Sequence, residues 1–370
     1  MEAKSKMNRR QFLRYSAFCG VSASLGNFFS FSQTLGASAN DQALLKGLQI
    51  IDAHAHPDRY VHDSRQTDNT STLKAIKKLG MAASCFAAVG DSVFLNQGRV
   101  PGTEYHSTKT QLEWWLKGIV KSGKAKLVLK TSDIPKALNG DSPPGAILAI
   151  EGGDALKGNP DAVNEFYRLG VRIITLIHYR NNEIGDTMRM WRNLDPGPLN
   201  NGLTPNGRKV AERMQELGMV VDVAHAHTNT LRQIAEMSSK PLVDSHTNPC
   251  SIEDPMQCGR SRTWKEMEWI AKTGGVICTW PLGYSKGTTI RVTFSDWAKE
   301  ILEMKKRLGM EHVGLGTDGG GGLPGFIEGY RDICDLIKLV KAMQEVGFSN
   351  DEISAYMGGN FLRVLRSCIG

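Results

Sequence analysis

The sequence predicts an α/β fold of the (β/α)8 type, a TIM barrel, on three observations. Strand-like apolar runs alternate with amphipathic helical stretches along the chain beyond residue 39. Most of those runs are nearly continuous in apolar residues, as parallel strands covered on both faces should be. Five of them end in a histidine, glutamate or aspartate, and a barrel gathers all such strand ends at one mouth. Length does not decide the matter, because 370 residues with 41% hydrophobic content could fold as one large barrel or as two ordinary domains.

Residues 1–39 stand apart. Asn8-Arg9-Arg10-Gln11-Phe12-Leu13-Arg14 is a twin-arginine pattern, followed by a modestly apolar stretch from Tyr15 to about Phe31 and by Ala37-Ser38-Ala39, which resembles a cleavage site. The expectation is a removed export signal, a periplasmic or otherwise exported location through the twin-arginine pathway, and a single barrel domain over residues 40–370. Lys4, Lys6, Arg9, Arg10 and Arg14 face only Glu2 in this segment, so without it the formal charge of +7 falls to about +3. That is too small an excess to argue for nucleic acid or an anionic surface. No later segment approaches the ~20 continuous apolar residues of a spanning helix, so no transmembrane segment is expected after leader removal. The seven cysteines contain no C-x-x-C pair, which argues against a cysteine zinc knuckle. Cys250 and Cys258 are close in sequence, but spacing does not assign a disulfide.

The strand candidates, in order, are Leu48–Asp52, Ala82–Val89, Ala146–Glu151, Arg172–Ile177, Met219–Ala224, Pro241–Ser245, Gly275–Thr279 and His312–Thr317. Helices are predicted over Pro205–Leu217, Thr228–Ser238, Thr263–Lys272, Ser295–Leu308 and Tyr330–Val346. Lys126–Lys130 reads as an excursion within the long connection between the second and third strands. A doubly wound open sheet is disfavoured, because no G-x-G-x-x-G follows a strand and the polar strand ends are spread over five strands instead of one crevice. The loops Thr187–Thr204 and Cys250–Arg262 are expected to cover the mouth.

The strand ends carry the chemistry. His54 and His56 lie two apart in IIDAHAH, so in extended geometry both rings point the same way and can share an ion. Glu151 ends the apolar run Ala-Ile-Leu-Ala-Ile, where a lone carboxylate is costly to bury without a compensating cation. His225 and His246 end the fifth and sixth strands, neighbours in a barrel. Asp318 sits among small residues in Gly-Thr-Asp-Gly-Gly-Gly-Gly, accessible as a general base and proton donor. His178, in TLIHYRNN, reaches the same mouth, where an imidazole could polarise a carbonyl. Together these residues describe a metal-centred hydrolase.

From about Ile50 to Leu365 the chain resembles the membrane dipeptidase (renal dipeptidase) family, peptidase M19, of the amidohydrolase superfamily. The resemblance is carried by Glu151-Gly152-Gly153, by Leu169-Gly170-Val171-Arg172 with Thr175-Leu176-Ile177-His178, by Gly202-Leu203-Thr204 through Gly218-Met219-Val220-Val221-Asp222-Val223-Ala224-His225, by Ser245-His246, and by Gly359-Asn360-Phe361-Leu362-Arg363-Val364. It implies a dipeptidase acting on small dipeptides through a metal-bridging hydroxide, with two divalent ions, zinc in the family. By the same resemblance His54 and His56 hold one ion, His225 and His246 the other, and Glu151 bridges them. Asp318 handles the water's proton and contacts substrate, and His178 polarises the substrate carbonyl. An arginine binds the substrate carboxylate; Arg260 and Arg262 both match, and spacing from Gly274-Gly275 favours Arg260. Family members can dimerise, so a homodimer is an expectation of the resemblance alone.

The chain departs from the family at His56, where members typically carry aspartate. A neutral ligand in its place leaves the cluster one charge more positive, and Asp58 is the nearest carboxylate that could compensate. The run of glycines after Asp318, where the family has a further aspartate, is a second departure. Two other functions fit the same residues: hydrolysis of a lactone, ester or N-acyl amino acid, and a non-catalytic exported binding protein on the same barrel.

Overall fold

The structure is a computed structural model that describes residues 44–45, 47–58, 72–91, 102–135, 142–188, 199–254, 258–286, 289–322 and 325–370. The twin-arginine segment and its expected cleavage site lie outside these residues, as does the middle of the 187–204 loop. Eight parallel strands follow one another around the sheet in chain order: β1 (Ile51–Asp52), β2 (Ala83–Val89), β3 (Gly145–Glu151), β4 (Val171–Thr175), β5 (Val220–Asp222), β6 (Val243–Thr247), β7 (Val276–Thr279) and β8 (Val313–Leu315). The last returns to the first. The Ala53 amide donates to the Leu315 carbonyl at 3.0 Å, and the Asp318 amide donates to the His54 carbonyl at 2.8 Å. This is the (β/α)8 architecture the apolar runs predict.

Several strands are shorter than their apolar runs. β1 is two residues long and β5 ends at Asp222, short of the predicted Ala224. In both places a buried aspartate takes over the backbone amides that a ladder would otherwise pair. Asp52 Oδ1 accepts from the His54 and Thr317 amides at 3.2 and 2.8 Å, and Asp222 Oδ1 accepts from the Ala224 and Ser245 amides at 3.0 Å each. β6 instead runs two residues beyond its predicted end and carries His246 within it. The excursion after β2 forms a two-residue strand, Lys126–Leu127, paired with the start of β3 on the side β4 takes up further along.

Ten helices are described: α1 (Thr72–Leu79), α2 (Glu104–Trp115), α3 (Pro160–Arg168), α4 (Pro205–Glu216), α5 (Thr228–Met237), α6 (Trp264–Lys272), α7 (Phe294–Leu308), α8 (Leu336–Glu345), α9 (Asn350–Ser354) and α10 (Asn360–Ile369). Their starts follow from local chemistry. Thr204 accepts the Gly207 amide with Pro205 at the first position, and Thr263 with Glu266 and Thr293 with Asp296 form capping boxes. The predicted helix from Tyr330 begins late, because Asp332 accepts the Cys334 amide and sets a short 3-10 turn over Ile333–Asp335 before α8. None of the described helices is long and apolar enough to cross a membrane.

The core has two layers. Ala53, Ala83, Cys85, Ala87, Ile147, Ala149 and Cys278 fill the barrel, and Phe361, Leu362 and Leu365 of α10 pack against this interior set. The Arg363 guanidinium donates to the Gly274 carbonyl at 2.7 Å and the Lys240 ammonium to the Ser367 carbonyl at 3.2 Å, in segments that precede strands. α10 therefore closes the amino ends of the strands and leaves the carboxyl ends as the mouth. A disulfide, Cys250–Cys258, closes the loop that leaves β6.

Candidate metal centre

Glu151, the last residue of β3, is the meeting point of side chains from four other strand ends, with Asp318 from a fifth beside them. Its Oε1 lies 3.4 Å from His54 Nε2, 3.4 Å from His178 Nε2, 3.2 Å from His225 Nε2 and 3.3 Å from His246 Nε2. Its Oε2 lies 3.4 Å from His56 Nε2, and Asp318 Oδ1 stands 3.4 Å from the same nitrogen. All seven side chains are buried at the mouth. Within this set two triads have the spacing of a metal site, His54 with His56 and Glu151, and Glu151 with His225 and His246, the ligand atoms of each lying within 4.8 Å of one another.

The backbone aims these groups. His225 and Asp318 both adopt left-handed conformations, with φ of 62° and 51°, which turn each side chain off its strand and into the mouth. The glycines after Asp318 have a steric reason. A Cβ on Gly321 would stand 2.0 Å from Asp318 Oδ1, so a side chain there would displace the carboxylate.

What lies behind each ring tests whether metal fits. The Ala87 carbonyl, which can only accept, takes a hydrogen bond from His56 Nδ1 at 2.7 Å. Ser245 Oγ sits 3.2 Å from His54 Nδ1 and 2.9 Å from His246 Nδ1. With protons held on Nδ1, the neutral His54 and His246 rings turn bare Nε2 lone pairs toward the carboxylate, and the Nε2 atoms crowd one another, His54 and His56 at 3.3 Å and His225 and His246 at 3.1 Å. Lone pairs converging on an anion repel unless cations sit among them. The donor set of neutral imidazoles around a shared carboxylate is also what divalent ions such as zinc prefer.

The electrostatics agree. Burial alone would raise the Glu151 pKa, but the His178 and His54 rings, with the His225 and His246 rings against the carboxylate, hold the carboxyl well below its usual range. Burial, the Arg260 charge and, for His246, the His54 ring hold His225 and His246 well below the ordinary imidazole value, which keeps them neutral as ligands require. His56 goes the other way: burial disfavours its charge, yet hydrogen bonds to Asp318 and Glu151 raise it to about 9.

Of the two arginines matched by sequence, Arg262 is fully committed. It pairs with Asp244 at 2.8 Å with neither side chain exposed, and donates to the Ala226 and Val223 carbonyls at 2.6 Å each. Arg260 donates to the His246 carbonyl at 2.6 Å and faces Trp280, with its centre 5.2 Å from the ring, while its buried Nε has no hydrogen-bond partner among the described residues. Asp58 does not stand among the ligand triads; it accepts the Leu73 amide at 3.1 Å near the start of α1.

Sequence inspection missed the layer behind the ligands. Asp91, just beyond β2, accepts from His178 Nδ1 at 3.0 Å and from the Tyr179 amide at 3.3 Å. Burial lowers the His178 pKa, and the Asp91 and Glu151 carboxylates outweigh it, for a net rise. Tyr179 packs its ring 4.0 Å from that of His178. Asp52, Asp222 and Asp244 tie the strand ends together, and here a signal was present. Asp52-Ala-His54, Asp222-Val-Ala-His225 and Asp244-Ser-His246 each place an aspartate two or three residues before a ligand.

Sequence relatives include Dipeptidase tcpJ of Claviceps purpurea, 27% identical over 222 residues, 60% of this chain and 50% of that protein. Dipeptidase 3 of Macaca fascicularis is 27% identical over 252 residues, 65% of this chain and 48% of that one. The chain thus spans about half the length of the curated relatives it matches. The probable dipeptidase PvdM from Pseudomonas aeruginosa shares the fold with a TM-score of 0.76 at 18% identity, covering 89% of this chain and 97% of that one. A metallo peptidase from Rhodobacter sphaeroides, solved with a phosphinate mimic of the dipeptide L-Ala-D-Ala, gives a TM-score of 0.71 at 19% identity, covering 87% and 99%. The family model described as membrane dipeptidase (peptidase family M19) matches residues 38–368, and the chain belongs to that family.

Proposed function

We propose that this protein is a dipeptidase that uses two divalent ions, zinc by preference, to hydrolyse the peptide bond of small dipeptides, including those with a D-residue at the carboxyl end. The observation that carries the proposal is the convergence of four imidazole Nε2 atoms on the Glu151 carboxylate at 3.2–3.4 Å. His54, His56 and Glu151 would hold one ion and Glu151, His225 and His246 the other; when bound, the pair supplies an acidified water and polarises the scissile carbonyl.

The chain's own residues do the rest. Asp318, with Oδ1 3.4 Å from His56 Nε2, takes the water's proton and returns it to the leaving amine. His178 is held by Asp91 through Nδ1 and turns Nε2 toward Glu151, from where its protonated ring donates to the substrate carbonyl oxygen. Arg260 captures the free carboxylate of the dipeptide. Export through the twin-arginine pathway belongs to the same proposal and is supported by the Asn8–Arg14 motif.

The test is elemental analysis of the purified protein together with a panel of L,L- and L,D-dipeptides. The expected result is zinc near two equivalents with turnover, and a loss of about 10²–10⁴-fold in kcat for Asp318→Asn with metal retained. Fully loaded protein that cleaves nothing in the panel would contradict the proposal and favour the binding-protein alternative.

A further inference from the structure

We infer that Ser245 is a positioning residue shared by both halves of the metal centre, a single hydroxyl that sets the tautomers of His54 and His246 together. The two rings come from just past β1 and from β6, strands that are not neighbours in the barrel, and each belongs to a different ligand triad. They stack with centroids 4.0 Å apart and an interplanar angle of 28°, so their Nδ1 edges meet at one point. Ser245 Oγ occupies that point, 3.2 Å from His54 Nδ1 and 2.9 Å from His246 Nδ1, and fully buried.

The direction of each hydrogen bond follows from counting donors. A serine hydroxyl has one proton and two lone pairs. Its proton goes to Asp222 Oδ2 at 2.6 Å, an acceptor whose other oxygen is occupied by the Ala224 and Ser245 amides at 3.0 Å. Thr175 Oγ1 donates to the same Oδ2 at 2.5 Å and holds the carboxylate from the side of β4. Both lone pairs of Ser245 are therefore left to accept Nδ1–H, one from each histidine, and each ring turns Nε2 toward Glu151. His56 gets the same orientation independently from the Ala87 carbonyl, and His225 Nδ1 has no partner among the described residues. The coupling between the triads thus runs through Ser245 as well as through Glu151.

This deepens the metal-binding part of the proposed function and does not depend on which bond is cleaved. Two measurements test it on the full-length protein. The first is long-range ¹H–¹⁵N NMR of histidine-labelled, metal-stripped protein above pH 8, with the rings of His54 and His246 assigned by single substitution. Both should read as Nδ1–H tautomers; either ring reading as Nε2–H overturns the inference without any serine variant. The second is titration with Co²⁺. Ser245→Ala should weaken both binding events by about 10–100-fold. Thr175→Val, which also removes a donor to Asp222 but touches no ligand, should lower the melting temperature while leaving both affinities within about twofold. Cobalt affinities of Ser245→Ala equal to wild type, or only one of the two weakened, contradict a shared role. Wild-type protein that takes up no cobalt would instead contradict the metal-binding reading.

Discussion

Glu151 faces five imidazoles, and its carboxylate is the anion both triads share. Glu151→Gln keeps the shape and removes the charge, so metal content should fall to near zero by elemental analysis; a variant retaining two ions would refute the shared role. His56 yields a prediction about pH. Its folded pKa of about 9 lies above the ordinary 6.5, held up by Asp318 and Glu151 against burial. In metal-stripped protein the protonated ring therefore contributes stability that is fully present below about pH 6.5 and is lost as pH rises through about 9. The loss is on the order of 3 kcal/mol, read as a falling denaturant midpoint. The same proton must leave when metal binds. Metal affinity should accordingly rise with pH up to about 9, with close to one proton released from His56 near neutral pH, measured by calorimetry in buffers of different ionisation enthalpy. A flat stability profile between those limits would show that His56 does not carry this proton.

At the level of one element, the loop leaving β6 holds two arginines in opposite roles. Arg262 is locked between Asp244 and Glu266 with no exposure, so Arg262→Met strands a buried carboxylate and should cost about 3–5 kcal/mol, seen as a drop in melting temperature. Arg260→Met should leave the melting temperature nearly unchanged and raise KM for dipeptides with a free carboxylate, while turnover of a neutral ester changes little. Reversed phenotypes would exchange the two assignments. The sequence left these arginines open because both carry the same charge two residues apart, and what separates them, the partner Asp244 placed 18 residues back inside β6, is a tertiary fact. Strand ends were legible for the opposite reason: a histidine or glutamate closing an apolar run has no local partner and so announces a site. Strand lengths were not legible, since Asp52 and Asp222 end the ladders with side-chain hydrogen bonds that apolar periodicity does not register. Asp91 was invisible because nothing near it in sequence marks it, and its partner His178 is 87 residues away.

Across the whole barrel, the proposed ligands come from β3 and β6, from the segment just after β1 and from the turn after β5, so a bound metal pair would tie distant strands to one carboxylate. Removing metal with a chelator should lower the melting temperature, by the equivalent of about 2.7 kcal/mol for each ion present at 100 times its Kd. A melting curve unmoved by chelation and by added zinc would mean the strands hold together without it. The number and order of strands were readable because parallel strands are buried on both faces and leave continuous apolar runs, whereas the role of α10 in closing the amino end depends on its packing against strand residues far earlier in sequence, such as Ile51 and Ala83. The decisive measurement is anomalous diffraction at the zinc edge from crystals of the zinc-loaded protein. Two peaks are predicted, one within about 2.0–2.2 Å of His54, His56 and Glu151 and the other within the same distance of Glu151, His225 and His246. A single peak, or Glu151 bound to neither ion, would contradict the account.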